Sequence, residues 1–216
     1  MGKTLAFLHT SPVHIATFDR LLAESDPGVT ARHIVDESLL DEARAAGEIT
    51  AALEQRIAAA LRDASAPDGA VVLCTCSTIG GSAEAASKRA GSVVLRVDRP
   101  MAERAVALGD RILVAAALAS TLAPTRALIL DAARAAGKQI DLRELLCETA
   151  WAFFERGDLA GYAQAIAKEL RAAADTADVI VLAQASMAAA ASLCADLGVP
   201  ILSSPRLGLE AALAAM

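Results

Sequence analysis

Short runs of valine, isoleucine and leucine alternate along this chain with longer alanine-rich stretches whose apolar positions recur at helical spacing, and glycine or aspartate stands at the joins. Such alternation marks a parallel sheet covered by helices, because each buried parallel strand needs a crossover to reach the next. The pattern predicts strands at Leu5–His9, Thr30–Val35, Ala70–Thr75, Ser92–Val97, Arg111–Ala116, Gln139–Leu142, Asp178–Ala183 and Pro200–Ser203. Ser11 followed by Pro12 predicts a helix start, and Gly47, Gly91, Gly109, Gly137 and Gly198 stand where helices should stop. Asp98-Arg99-Pro100-Met101 marks the crossing into the second half, with Pro100 opening a helix.

A shift of 108 positions, half of the 216-residue length, lays the chain on itself almost without gaps. Leu5 then falls on Leu113, Thr17 on Thr125, Leu21 on Ile129, Val71-Val72-Leu73 on Val179-Ile180-Val181, and Cys76 on Gln184. Identity is sparse, but strand, turn and helix match in order. The reading is an α/β chain of two similar lobes, each with four parallel strands. Ligands of open α/β sheets bind beyond the carboxyl ends of the strands, so the expected site is a cleft between the two sets of ends.

Composition narrows the partners. Twenty basic against 26 acidic residues give a formal charge of −6, and aromatics make up 3% of the chain, so neither a basic face nor stacking rings are available for nucleic acid. The longest weakly polar run, Val179–Ala195, is interrupted by Gln184, Ser186 and Ser192 and is too short for a bilayer that takes ~20 apolar residues. No export leader is visible, and the expected location is the cytoplasm. Cys74, Cys76, Cys147 and Cys194 are therefore expected as thiols. The Cys74/Cys76 spacing, with no second pair and no histidine at ligand distance, argues against a metal.

Candidate chemistry lies where Ala70-Val71-Val72-Leu73-Cys74-Thr75 runs into Cys76-Ser77-Thr78-Ile79-Gly80-Gly81. Cys76 stands at a strand's carboxyl end and a helix's amino end. There, unpaired N–H groups and the helix dipole favour negative charge, which suits a thiolate and equally a substrate carboxylate. Ser77 and Thr78 add hydroxyls. The same position also suits a small buried side chain, the usual state of free cysteine. Cys74, Cys147 and Cys194 read as packing residues.

Cys76-Ser77-Thr78, the polar strand end His9-Thr10-Ser11, the middle segment with Ser120, Thr121 and Thr125, and the run Val179–Met187 together resemble the aspartate/glutamate/hydantoin racemase superfamily. The resemblance covers essentially the whole chain. It implies two pseudo-symmetric flavodoxin-like lobes, each a four-stranded parallel sheet with helices on both faces. One cysteine from each lobe would face the cleft, no cofactor would be needed, and homodimers are frequent. It divides the chain at 1–98 and 99–205, with the helix 206–216 packing back on the first lobe. Cys76 matches the first cysteine motif, while the second is replaced: Leu182-Ala183-Gln184-Ala185-Ser186 has no thiol, and Gln184 cannot take a proton.

The resemblance implies a cofactor-independent racemase or isomerase acting alpha to the carboxylate of a small acid such as an amino acid. Cys76 would be the base, and Thr10, Ser11, Ser77, Thr78, Ser120, Thr121, Gln184 and Ser186 would bind substrate. The alternatives are a one-cysteine lyase or isomerase of the same superfamily, similar to arylmalonate decarboxylase or maleate isomerase, and a non-catalytic carboxylate-binding protein. In a flavodoxin-like strand order His9 neighbours Cys76, either paired with the thiol as a second catalytic group or satisfied by a backbone carbonyl. Arg96, Arg99 and Arg206 are candidates for reaching an anion. Trp151, Phe153, Phe154 and Tyr162 read as core of the second lobe or a helix-face dimer contact.

Overall fold

The structure is a computed structural model that describes residues 3–66, 69–90 and 93–216. Two compact units divide it, Met1–Arg99 with Pro205–Met216, and Pro100–Ser204. The first carries β1 (Thr4–His9), α1 (Ile15–Ser25, entered through a 3-10 turn at Pro12–His14), β2 (Thr30–Val35), α2 (Ser38–Ala46), α3 (Ala51–Ser65), β3 (Val71–Cys74), α4 (Ser77–Ala90) and β4 (Val94–Arg96). The helix α5 (Arg99–Leu108) leads into β5 (Arg111–Ala116), α6 (Ala119–Ala135), β6 (Asp141–Leu146), α7 (Glu148–Glu155), α8 (Leu159–Ala173), β7 (Val179–Leu182), α9 (Ala188–Leu193) and β8 (Ile201–Ser203). A final helix, α10 (Ser204–Ala214), closes the chain.

Both sheets are parallel throughout, ordered β2-β1-β3-β4 and β6-β5-β7-β8, so the flavodoxin-like order is present twice. The central strands β1 and β3 are apolar on both faces and buried, as strands covered on both sides must be. Alternation of side chains assigns each residue its layer. Ala6, Leu8, Val72 and Cys74 pack with α2, α3 and α4 through Leu39, Leu53, Ile57 and Ile79. Leu5, Phe7, Val71 and Leu73 pack with α1 and α10 through Phe18, Leu22, Leu209 and Ala212. In the second unit Leu113, Ala115, Ile180 and Leu182 face Ala150 of α7 and Tyr162, Ile166 and Leu170 of α8. Trp151, Phe153 and Phe154 lean on the same cluster, so these rings serve the second unit's core.

The helices keep the starts and stops that their sequences encode. Thr50 caps α3, its Oγ1 accepting the Leu53 N–H at 3.2 Å, and Asp158 caps α8 on Gly161 at 2.8 Å. Gly47 ends α2, and Gly198 ends the 3-10 turn Ala195–Leu197 that follows α9, both in the left-handed region. Gly91 and the start of the expected strand at Ser92 lie outside the described residues. β6 departs from its pattern at both ends: it runs Asp141–Leu146 and not Gln139–Leu142. It is an edge strand largely open to solvent, so Asp141, Arg143 and Glu144 are tolerated along it and hide its β character. No helix among the described residues is long and apolar enough to cross a membrane.

Gly208 shows how closely α10 is seated in the first unit. A Cβ there would lie 2.4 Å from the carbonyl oxygen of Val97 and 2.6 Å from its Cγ2. In an open helix Gly→Ala would stabilise by about 1 kcal/mol. Here Gly208→Ala is expected to destabilise by about 1–3 kcal/mol, because backbone must move. Denaturant unfolding checks this, and a variant as stable as the parent would mean that α10 is not packed this closely.

Candidate functional site

The carboxyl ends of β1 and β3 meet at the centre of the first sheet. Leu8 pairs with Cys74, and the Thr75 N–H donates to the Leu8 carbonyl at 3.0 Å. This brings His9-Thr10-Ser11 alongside Thr75-Cys76-Ser77-Thr78. Thr10, Ser77 and Thr78 are buried and Ser11 is half-buried. Ser77 and Thr78 form the first turn of α4, whose leading N–H groups have no carbonyl within the helix to bond.

Burial separates the four free cysteines. Cys74, Cys147 and Cys194 are buried, whereas Cys76 is partly exposed. Burial pushes the Cys74 thiol up to about 12, the neighbouring Cys76 adding to the effect, and Cys147 up to about 11. Cys194 is also raised by burial. The Cys74 Sγ points back to the Cys76 carbonyl at 3.8 Å. Among the described residues no group of three or more His, Cys, Asp or Glu side chains is arranged to hold a metal ion.

His9 does not pair with Cys76, and no backbone carbonyl takes its ring. Its Nδ1 lies 2.8 Å from the Thr75 hydroxyl and its Nε2 2.8 Å from His33 Nδ1. Strand alternation is the reason. His9 follows Leu5 and Phe7 on the face covered by α1, and Thr75 follows Val71 and Leu73 there. Cys76 falls on the opposite face, packed against the cluster of Leu8 and Cys74. His9 is enclosed by Phe7 and Phe18, with ring centroids at 5.7 and 5.8 Å. Burial, then the nearby His14 and His33, lower its pKa from 6.5 to about 3. Burial alone takes His14 from 6.5 to about 4. His33 and Asp19, which complete this cluster, were not among the expected site residues. The parity of positions 7, 9, 31, 33, 73 and 75 along the three strands was the signal that could have found His33.

None of the three arginines presents an unpaired cation. Arg96, at the end of β4, grips Asp98 in a buried fork, Nε to Oδ1 at 2.6 Å and Nη2 to Oδ2 at 3.0 Å. Burial opposes its charge, and the Asp98 carboxylate more than offsets this, so its pKa is raised. The guanidinium lies against α4 where Gly80 has no side chain; a Cβ there would meet Nε at 3.1 Å. Arg99 is held by Glu84, and Arg206 by Glu24 at 2.7 Å.

The second unit handles the corresponding turn differently. Gln184, two residues beyond the end of β7, turns its Oε1 onto the N–H groups of Ala117 at 2.7 Å and Leu118 at 3.1 Å, the two residues between β5 and α6. The donors at that strand end are thus satisfied by the chain's own carboxamide. Ser186 is engaged as well, its hydroxyl 3.0 Å from Tyr162 Oη, and burial raises the Tyr162 pKa. Thr121 is buried in the first turn of α6. Ser120 Oγ and Thr125 Oγ1 are buried and make no hydrogen bond among the described residues.

No protein-family model matches the chain, and no curated protein matches it in sequence. Solved structures do match in fold. Aspartate racemase from Picrophilus torridus superposes with a TM-score of 0.74 at 14% identity, over 99% of this chain and 94% of that one. Glutamate racemase from Francisella tularensis, in complex with D-glutamate, gives 0.73 at 16% identity, over 99% and 81%. An arylmalonate decarboxylase mutant gives 0.60 at 18% identity, over 98% and 92%. The two-unit α/β fold is therefore shared with these racemases and with the decarboxylase. At these identities the likeness is one of fold, and the chemistry has to be argued from the residues.

Proposed function

We propose that the chain is a cofactor-independent isomerase acting at the carbon alpha to the carboxylate of a small acid, with Cys76 as the base. The observation that carries this reading is that Cys76 alone of the four cysteines is partly exposed, immediately before the first turn of α4. The C–H bond breaks, its proton passes to the Cys76 thiolate, and its electron pair enters the carboxylate as an enediolate. That dianionic oxygen pair is the costly feature, and the leading N–H groups of α4 with the hydroxyls of Ser77, Thr78 and Thr10 are the groups suited to meet it. Return of the proton from the opposite face would invert the centre.

One observation favours a second reading. Gln184 offers no proton, and its Oε1 is committed to Ala117 and Leu118. A single thiol serves chemistry at one face, such as protonation of a carbanion after decarboxylation or exchange without inversion. Incubation in deuterated water with a panel of amino acids, hydroxy acids, hydantoins and substituted malonates separates the two. Deuterium at the α-carbon with loss of optical purity is the expected result. Deuterium or decarboxylated product with optical purity retained moves the assignment to the one-thiol lyase or isomerase. Absence of any exchange or product, with carboxylates still bound, leaves a binding protein and ends both catalytic readings.

A further inference from the structure

We propose that Asp19, His33 and His9 are positioning residues for the Cys76 turn, acting through Thr75 as a two-state hydrogen-bonded chain that couples protonation of His33 to the direction of the Thr75 hydroxyl bond. The chain is continuous. Asp19 Oδ1 lies 2.9 Å from His33 Nε2, His33 Nδ1 lies 2.8 Å from His9 Nε2, and His9 Nδ1 lies 2.8 Å from Thr75 Oγ1. It runs from α1 across β2 and β1 to the residue before Cys76, and from solvent inward: the Asp19 side chain is 54% exposed, that of His33 15%, and His9 0%. An apolar side chain would fill the His9 position between Phe7 and Phe18 without any desolvation cost. The imidazole is tolerable there because both nitrogens are bonded.

Donor and acceptor bookkeeping gives two arrangements on the same heavy atoms. A carboxylate only accepts, so His33 Nε2 carries hydrogen toward Asp19 in both. When His33 is neutral its Nδ1 accepts from His9 Nε2–H, and His9 Nδ1 accepts from the Thr75 hydroxyl. When His33 carries a second proton its Nδ1–H donates to His9 Nε2. The His9 proton then sits on Nδ1 and donates to Thr75, and the Thr75 hydroxyl turns to the Leu8 carbonyl, already 3.2 Å from Oγ1. The states differ by one proton on the whole chain, His9 remaining neutral in each. In the second state the Thr75 hydroxyl is an additional tie between β3 and β1 at the root of the Cys76 turn.

The charged and titratable surroundings are few. His14, from the 3-10 turn, has its ring centroid 6.2 Å from that of His9. Asp19 is the carboxylate that α1 turns to His33, and Glu24, further along α1, pairs with Arg20 and with Arg206 of α10. His33 is the one ring of the three bonded to a carboxylate.

Nitrogen-15 spectra of the histidine rings test this without reference to turnover. As pH is lowered within the folded range, His9 is expected to pass from the Nε2–H to the Nδ1–H tautomer in step with uptake of the second proton by His33. A His9 ring that keeps one tautomer while His33 titrates overturns the proposal. Thr75→Val leaves His9 Nδ1 without its partner and is expected to displace the coupled change along the pH axis, and Thr75→Ser to restore it; equal behaviour of the two variants would also overturn it. The consequence for catalysis rests on Cys76 being the base. If exchange at the α-carbon exists, its pH profile should lose the inflection that tracks His9 in Thr75→Val and regain it in Thr75→Ser. If no exchange exists, the tautomer experiment still decides the chain's two states.

Discussion

Cys76→Ala is expected to lower α-proton exchange by about a thousand-fold, the contribution of a positioned general base being ~10²–10⁴. The loss should fall on turnover more than on substrate affinity, because the α4 amino end and the hydroxyls of Ser77 and Thr78 remain to hold the carboxylate. Cys74→Ala is the informative control. It removes a thiol two residues away that is fully buried and pushed up to about 12, so it should cost about 1 kcal/mol or more of stability and leave exchange nearly intact. Mass spectrometry of the substrate in deuterated water measures both variants. Equal loss in the two would mean that the turn is sensitive to packing and that Cys76 has no role of its own. Full activity in Cys76→Ala would remove the thiol from the mechanism.

Strand existence and the doubling of the unit were legible because buried parallel strands must be apolar on both faces, and both sets of central strands are; strand order came only with the family resemblance. β3 and β7, Val71–Cys74 and Val179–Leu182, stand at the spacing that the internal match requires. β6 was placed two residues early because an exposed edge strand is under no such demand. Cys76 at a strand end before a helix was equally legible, since both elements announce themselves.

The partners of the polar side chains were harder to read, for a physical reason: they depend on which face a residue takes and on what lies across it. His9 and Cys76 are neighbours in strand order but belong to opposite faces, and one step of parity decides between a His–Cys pair and the observed His9–Thr75 bond. Arg96, Arg99 and Arg206 look available in a sequence because the carboxylates that hold them, Asp98, Glu84 and Glu24, gain meaning only once the chain has folded. Gln184 looked like a lost thiol. In the structure it is also a gained acceptor, closing on N–H groups that would otherwise need a ligand or water. The two units share a backbone plan and differ in how each strand end satisfies its donors.

Between pH 6.5 and 5 the unfolding free energy is expected to fall by about 3 kcal/mol, through His9 and His14. Both rings have folded pKa values below the ordinary 6.5, near 3 and near 4, because burial disfavours the imidazolium. The unfolded chain therefore binds two protons that the folded chain refuses. Well above pH 6.5 neither state is protonated and nothing is lost; through and below it stability declines with a limiting slope of ~2.7 kcal/mol per pH unit until the folded pKa values are reached. Carboxylates do not confuse this interval. Asp178, held down to about 2 by Arg111, contributes stability above its ordinary 3.8 that is lost only as pH falls from there toward 2. Glu24 and Asp196, lowered from 4.5 and 3.8 by their arginines, likewise act below the interval. Denaturant titrations at a series of pH values measure the slope, and His14→Gln should halve it while leaving the His9 bonds in place. A level stability across the interval would mean that these rings are solvated or already charged in the fold. A loss of this size is a large part of the ~5–15 kcal/mol that holds a domain together, so a fold that retains His9 between two phenylalanines accepts acid sensitivity in exchange for a neutral ring with two usable tautomers.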